Sequence, residues 1–220
     1  MIRDNADNAD NADKSDNVME MNKKTEKLMI LYNKYRICLG DEGLPDDMLV
    51  FGTGNPDAKL LLIGEAPGSF EMKLSRPFSG PAGKQLDELL KEINLERENI
   101  YITNTVKYRL CKEGKKKGQL RNRPATAKDI SFNRHFLVEE IEILKPSYVA
   151  TLGNVALRAV LQNDKAVIGN YHGSFLEWRS GDHDFLLFPL HHPASIIYNK
   201  NLRDVFLSDL KKLSQMIHNL

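Results

Sequence analysis

Cysteine is scarce in this chain: Cys38 and Cys111 are the only two in 220 residues. That excludes a disulfide framework and a site in which four cysteines hold a metal. Long apolar runs are missing too. No stretch approaches the ~20 residues that a membrane span needs. The N-terminus has no basic flank followed by an apolar segment, so secretion is not indicated. Net charge is also nearly absent, with 31 Lys and Arg against 30 Asp and Glu. The expectation is a cytoplasmic monomer, nucleoid-associated if bacterial or archaeal, with reduced thiols, no bound metal and no membrane partner.

The balance of charge hides an asymmetry. Residues 1–20 carry five Asp and one Glu against Arg3 and Lys14, and repeat the triplet Asp-Asn-Ala. Almost nothing there can bury a core, so composition predicts a disordered tail over 1–20 and a single domain over 21–220. The excess positive charge must then sit in the rest of the chain.

From residue 22 onward, helical and strand patterns alternate. Leu28, Leu31 and Tyr35 fall at helical spacing. The run AKLLLIG (58–64) reads as a strand buried on both faces, and NIYITN (99–104), SYVATLG (147–153) and DFLLFPL (184–190) read as three more. Helical patterns fill the intervals at 82–94, at 127–144 and after Gly153, and a last one closes the chain. This alternation predicts an α/β fold of three layers, α/β/α, around a central four-stranded parallel sheet. Ligands in such folds bind beyond the carboxyl ends of the strands. The candidate site therefore comprises Gly64-Glu65-Ala66-Pro67-Gly68, Thr103-Asn104, Leu152-Gly153 and His191-His192-Pro193.

Four motifs in order sharpen this: GEAPGSFE (64–71), RPFSGPAG (76–83), YITN (101–104) and HHPAS (191–195). Together they resemble the uracil-DNA glycosylase superfamily, and most closely its family 4. The resemblance runs from about Phe51 to Asp209 and implies a uracil-DNA glycosylase-like fold. It also implies a DNA-repair enzyme that flips uracil out of single- or double-stranded DNA and hydrolyses its N-glycosidic bond. Under it, Glu65 is the acid associated with the attacking water. Ala66 stands where other families place a catalytic Asp. Glu71 crowds the base near C5 and keeps thymine out, Phe78 is the platform beneath the base, Asn104 reads the uracil edge, and His192 contacts O2. His191 and His192 are adjacent, so in extended chain only one can face the site; the His-Pro-Ala context favours His192.

The residue types suit that chemistry. A target base inside a duplex must first leave the stack. The sugar then gains cationic character, which a carboxylate steadies, while a donor at O2 stabilises the departing anion. An amide offers both a donor and an acceptor, matching O4 and N3–H of uracil and rejecting cytosine.

Residues 107–123 hold eight Lys or Arg and one Glu, directly after Asn104. Lys107, Arg109, Lys115, Lys116 and Lys117 are accordingly expected to meet DNA phosphates. Ser195, Ile197 and Tyr198 occupy the position of the family's intercalation loop, where apolar side chains fill the gap left by a flipped base. One departure stands out. Family 4 holds a [4Fe–4S] cluster with four cysteines; here Cys38 falls near one ligand position, but Tyr108 stands at the second and Asn133 near a later one. Cys111 lies three residues from Tyr108. The sequence therefore predicts no iron–sulfur cluster, with packing by Tyr108 and Phe132 in its place. A related branch that traps DNA through a loop histidine is also a poor match, because residues 105–134 contain no His. The alternatives are a glycosylase for other deaminated bases, a catalytically inactive DNA-binding member of the fold, and a phosphate-binding turn at GEAPG.

Overall fold

The computed structural model of the chain describes residues 6–41, 48–116 and 118–218, and, within the first helix, the side chains of residues 23–40. That helix, α1, runs Ala6–Asp41 and so takes in residues 6–20, where composition predicts a disordered tail. Its packed stretch, with Leu28, Leu31, Tyr35 and Leu39 all buried, supplies the nucleus from which a helix extends at one bond per residue.

Strands and helices then alternate as the sequence predicts, with additions. Strand β1 (Thr53–Gly54) and strand β2 (Leu60–Gly64) precede helices α2 (Ser69–Leu74) and α3 (Pro81–Lys91). Strand β3 (Tyr101–Asn104) leads into a hairpin of β4 (Cys111–Glu113) and β5 (Leu120–Asn122), then helix α4 (Ala127–Leu144). Strand β6 (Tyr148–Leu152), helix α5 (Asn154–Leu161), strands β7 (Leu176–Ser180) and β8 (His183–Leu190), and helices α6 (Pro193–Tyr198) and α7 (Leu202–His218) complete the chain.

The sheet has six strands in the order β1-β3-β2-β6-β8-β7, not four. Its centre is the expected parallel quartet β3, β2, β6 and β8, while β1 and β7 pair antiparallel at the two edges. Both edge strands escape an apolar-run reading for physical reasons. Strand β1 is only two residues long, and β7 (LEWRS) buries one face lightly, as an edge strand does.

Residue alternation assigns the faces. Leu60, Leu62, Ile102, Ala150, Leu152, Phe188 and Leu190 pack with α3 and α7 on one side. Leu61, Ile63, Tyr101, Val149 and Leu187 pack with α1, α4 and α5 on the other. Each central strand is thus apolar throughout because both faces are covered. The helix starts are locally encoded: Thr126 and Asp129 form a reciprocal capping box at α4, and Pro81 sits in the first turn of α3 after Gly80.

The loops leaving β2 and β6, neighbours in the sheet, lead to helices on opposite faces, which opens a crevice at their carboxyl ends. Among the described residues no helix is long and apolar enough to cross a membrane. Phe188 lies on β8, between β6 and β7, with 0% exposure. Phe188→Ala should therefore cost about 3–5 kcal/mol of stability, read by equilibrium denaturation.

Candidate active site

Register places the first two elements of the site side by side. In the β2–β3 ladder Gly64 pairs with Asn104, and the pairing continues past both strands, with Thr105 N–H donating to Gly64 O at 2.8 Å and Val106 N–H to Glu65 O at 2.9 Å. Gly64 has to be glycine. A Cβ there would meet the Asn104 side-chain oxygen and stand 2.6 Å from the Phe78 ring. The missing side chain lets an amide and an aromatic ring converge over the end of β2.

Phe78 reaches this place through a left-handed backbone turn, at φ 51°, a conformation that costs a bulky residue energy. Arg97 holds the turn. Its guanidinium donates to the carbonyl of Pro77 at 3.1 Å and to that of Phe78, while Nε pairs with Asp87 at 2.5 Å. On the other side the Phe78 carbonyl rests against Gly83, where any Cβ would collide with it.

Glu71 serves as a staple. One carboxylate oxygen accepts from Gly68 N–H at 3.0 Å and the other from Gly80 N–H at 2.8 Å, joining the GEAPG turn to the loop that carries Phe78. Charge-assisted bonds to backbone donors are among the stronger ones, so both loops are fixed by one side chain.

His192 caps α6, its Nδ1 accepting from Ala194 N–H at 3.1 Å. With Nδ1 an acceptor, the proton of a neutral ring must sit on Nε2. Burial lowers the His192 pKa from 6.5 to about 4, so the ring is neutral near pH 7 and presents an Nε2–H donor. The Phe78 and His192 rings lie 5.9 Å apart, centroid to centroid. His191 turns elsewhere: its ring packs 4.6 Å from that of His172, which bonds Asp209 at 2.7 Å.

Glu71, Phe78, Asn104 and His192 line one cavity of about 380 Å³, together with Ala66, Asn122, Ile197 and Tyr198. Asn104 is 3% exposed, and among the described residues its side-chain amide has no protein partner. Its donor and acceptor are thus both left to the cavity. Ile197 and Tyr198 stand at the rim, Tyr198 with 89% exposure, on helix α6 rather than on a loop. Ser195 Oγ donates to His192 O and so acts within the α6 cap. A larger cavity of about 840 Å³, lined by Trp178 and Phe185, lies at the opposite, amino ends of β6 and β8 and contains none of these groups.

Glu65 stands outside the cavity lining. It is half-buried, and its Oε1 accepts from Ala125 N–H at 2.9 Å, tying the GEAPG turn to the start of α4. Asn122 is a wall residue that the sequence reading missed. The signal was an uncharged amide within a cationic stretch, and the hairpin fold is what brings it to the cavity. Its Oδ1 accepts from Arg109 Nε at 2.8 Å.

The basic segment is not a loop but the β4–β5 hairpin, anchored by Arg123 to Asp129 at 2.6 Å. Lys115 and Lys116 are exposed on it, Arg109 is half-buried against β5, and Lys117 lies outside the described residues. Lys107 requires a correction. It is 1% exposed and its ammonium bonds Glu140, so it cannot reach DNA phosphates.

The ligands for a [4Fe–4S] cluster are not available. Of the two cysteines, Cys38 is exposed on α1 and Cys111 lies on β4. At the remaining positions, Tyr108 packs on an apolar cluster of Leu31, Tyr35, Leu39 and Phe136, together with Phe132. Asn133 is fully buried, bonded to Tyr35 Oη and to Asp129 O. Four thiolates are needed for that cluster, and these side chains do not fit it.

Residues 51–213 match the family described as the Uracil DNA glycosylase superfamily. The chain is 34% identical over 169 residues to the type-4 uracil-DNA glycosylase of Sulfurisphaera tokodaii, covering 75% of this chain and 73% of that protein. It is 34% identical over 171 residues to the type-4 uracil-DNA glycosylase of Thermotoga maritima, covering 77% and 83%. The corresponding protein of Archaeoglobus fulgidus is 31% identical over 168 residues, covering 75% and 80%.

Two outcomes are expected from this geometry. Gly64→Ala should overpack the end of β2 and cost about 1–3 kcal/mol in equilibrium denaturation. Because the folded pKa of His192 lies below its unfolded value, its contribution to stability is present above pH 6.5 and is lost as pH falls toward about 4. An NMR titration should show the His192 ring signals flat through pH 6.5, and a midpoint there would contradict the neutral ring.

Proposed function

The chain belongs to the uracil DNA glycosylase superfamily, and from that premise we propose that it is a uracil-DNA glycosylase whose base pocket is the Asn104–Phe78–His192 cavity. The observation that carries this reading is the convergence of an unpartnered amide, an aromatic face and a neutral Nε2–H donor in one buried space.

A uracil flipped into that space stacks on Phe78, an interaction worth ~1–3 kcal/mol per base and indifferent to which base it is. Identity is read by Asn104, whose Nδ2–H₂ donates to O4 and whose Oδ1 accepts from N3–H. Cytosine offers an amino donor and a bare ring nitrogen in those places, so a fixed amide rejects it. Glu71, locked by its two backbone bonds, forms the wall near C5 where the methyl of thymine would have to fit.

In the reaction the C1′–N1 bond breaks and its electron pair leaves with uracil. His192 Nε2–H donates toward O2, where negative charge accumulates. A neutral donor in a dry pocket gains strength as the base becomes an anion. Water adds its oxygen to C1′ on the other face, and its proton passes to solvent or the departing base. Glu65, held through Oε1 by Ala125 N–H, steadies the cationic sugar and orients that water.

Lys115 and Lys116 are exposed on the hairpin, and Ile197 and Tyr198 are exposed on α6. They suit phosphate neutralisation on one side and filling of the vacated stack on the other. We assign the enzyme a monomeric, cluster-free mode of action on uracil in single- or double-stranded DNA.

The test is base release from a labelled oligonucleotide carrying one deoxyuridine, with thymine and hypoxanthine controls. Uracil alone should be freed, and Asn104→Ala should reduce its release by about 100-fold or more, as loss of a preorganised polar contact does. A wild-type protein that binds the strand and frees no uracil would remove the assignment.

A further inference from the structure

Lys107 lies three residues beyond Asn104 and points into the protein. All three ammonium donors are used: Thr103 Oγ1 at 2.7 Å, the main-chain carbonyl of Asn104 at 2.6 Å and Glu140 Oε2 at 2.6 Å. Glu140, 0% exposed on α4, also takes Tyr32 Oη at 2.6 Å and Thr103 Oγ1 at 3.1 Å. The Lys107 backbone is clamped as well, its N–H donating to Tyr35 Oη at 3.1 Å and its carbonyl accepting from Val50 N–H at 2.7 Å.

We propose that Lys107 is a positioning residue for base recognition, which with Glu140 fixes the Asn104 carbonyl and so aims the Asn104 amide into the cavity. This rests on the uracil-pocket reading above. The Asn104 amide has no protein partner among the described residues, so its direction follows from where its backbone sets it and from the space that Gly64 leaves for its Oδ1. That backbone is held on one side by the ladder to Gly64 and on the other by the Lys107 ammonium. A buried ammonium is otherwise a costly way to terminate a strand. Here it delivers a short charge-assisted bond to the one carbonyl that follows the recognition side chain.

The experiment is a mutant cycle on uracil release under single turnover, using Lys107→Met, Lys107→Met/Glu140→Gln, and each of these in an Asn104→Ala background. Lys107→Met should slow release by about 10–100-fold, the scale expected for a sub-ångström misplacement of a contact group. In the Asn104→Ala background the same change should cost less than about threefold, because the group through which Lys107 acts is already gone. Removing both charges should restore thermal stability without restoring the rate, since the Asn104 carbonyl still lacks its donor. The salt dependence of DNA binding should stay as in the wild type.

An equal loss in both backgrounds would make Lys107 merely structural and overturn the proposal. So would a salt slope reduced by about one, the mark of a lost phosphate contact. If Lys107→Met does not fold, the charge-free double variant carries the same comparison. The ¹⁵N signals of the Asn104 side chain give a readout independent of catalysis. They should move in the two variants that keep Asn104, and unmoved signals overturn the positioning role even if the wild type proves to release no uracil and the functional reading itself fails.

Discussion

A fully buried ammonium beside a fully buried carboxylate ties α1, β3 and α4 of this fold to one another. Neither Lys107 nor Glu140 touches water, so every donor and acceptor must find a protein partner. Satisfying them draws α1, through Tyr32 and Tyr35, and α4, through Glu140 and Asn133, onto the end of β3. Burial pushes the Lys107 pKa down, and the carboxylate of Glu140 opposes that shift. The strand that carries Asn104 therefore ends in a polar lock, where an all-apolar anchor would leave its last carbonyl free.

The same economy of polar groups recurs around the cavity. Glu71 spends both oxygens on backbone N–H groups of two loops, and Arg97 spends its donors on Asp87 and two carbonyls behind Phe78. His192 gives its Nδ1 to a helix cap. Each of these groups orients a neighbour and leaves the cavity with an amide, a ring face and a single N–H. Preorganisation of this kind removes reorganisation at the moment of reaction, which is how electrostatic stabilisation is made effective in a dry site. The left-handed Phe78 is the strained element, tolerated because Arg97 and the bare Gly83 determine its place from both sides. The aromatic packing of Tyr108 and Phe132 on Leu31, Tyr35, Leu39 and Phe136 joins the same lock to the rest of the core.

Much of this was legible in the residues. The runs LLLIG, YITN, YVATL and FLLFPL show two-sided burial directly, because an apolar strand without alternation needs a helix layer on each face. The turn residues that follow them located the site, since strand ends in such a sheet face one crevice. What failed to read through was direction. A lysine within a run of cations looks like surface, yet Lys107 turns inward because Thr105 and Val106, just before it, still pair with the end of β2 and its ammonium meets Glu140 of α4. Asn122 looks like loop filler, yet the β4–β5 pairing brings it to the cavity wall. Glu65 sits where a catalytic acid is expected, while Ala125 N–H holds one of its oxygens beside the cavity and not within it.

The sequence by itself determined the alternating strand–helix order, the parallel quartet and the set of residue types at the strand ends, because periodicity and turn chemistry are local properties. Tertiary structure alone decided which of those side chains converge. Register set Gly64 opposite Asn104, burial fixed the charge state of His192, and long-range contacts between α1, β3 and α4 turned Lys107 from a surface cation into an internal one. Those are properties of neighbours distant in the chain, and no local pattern carries them.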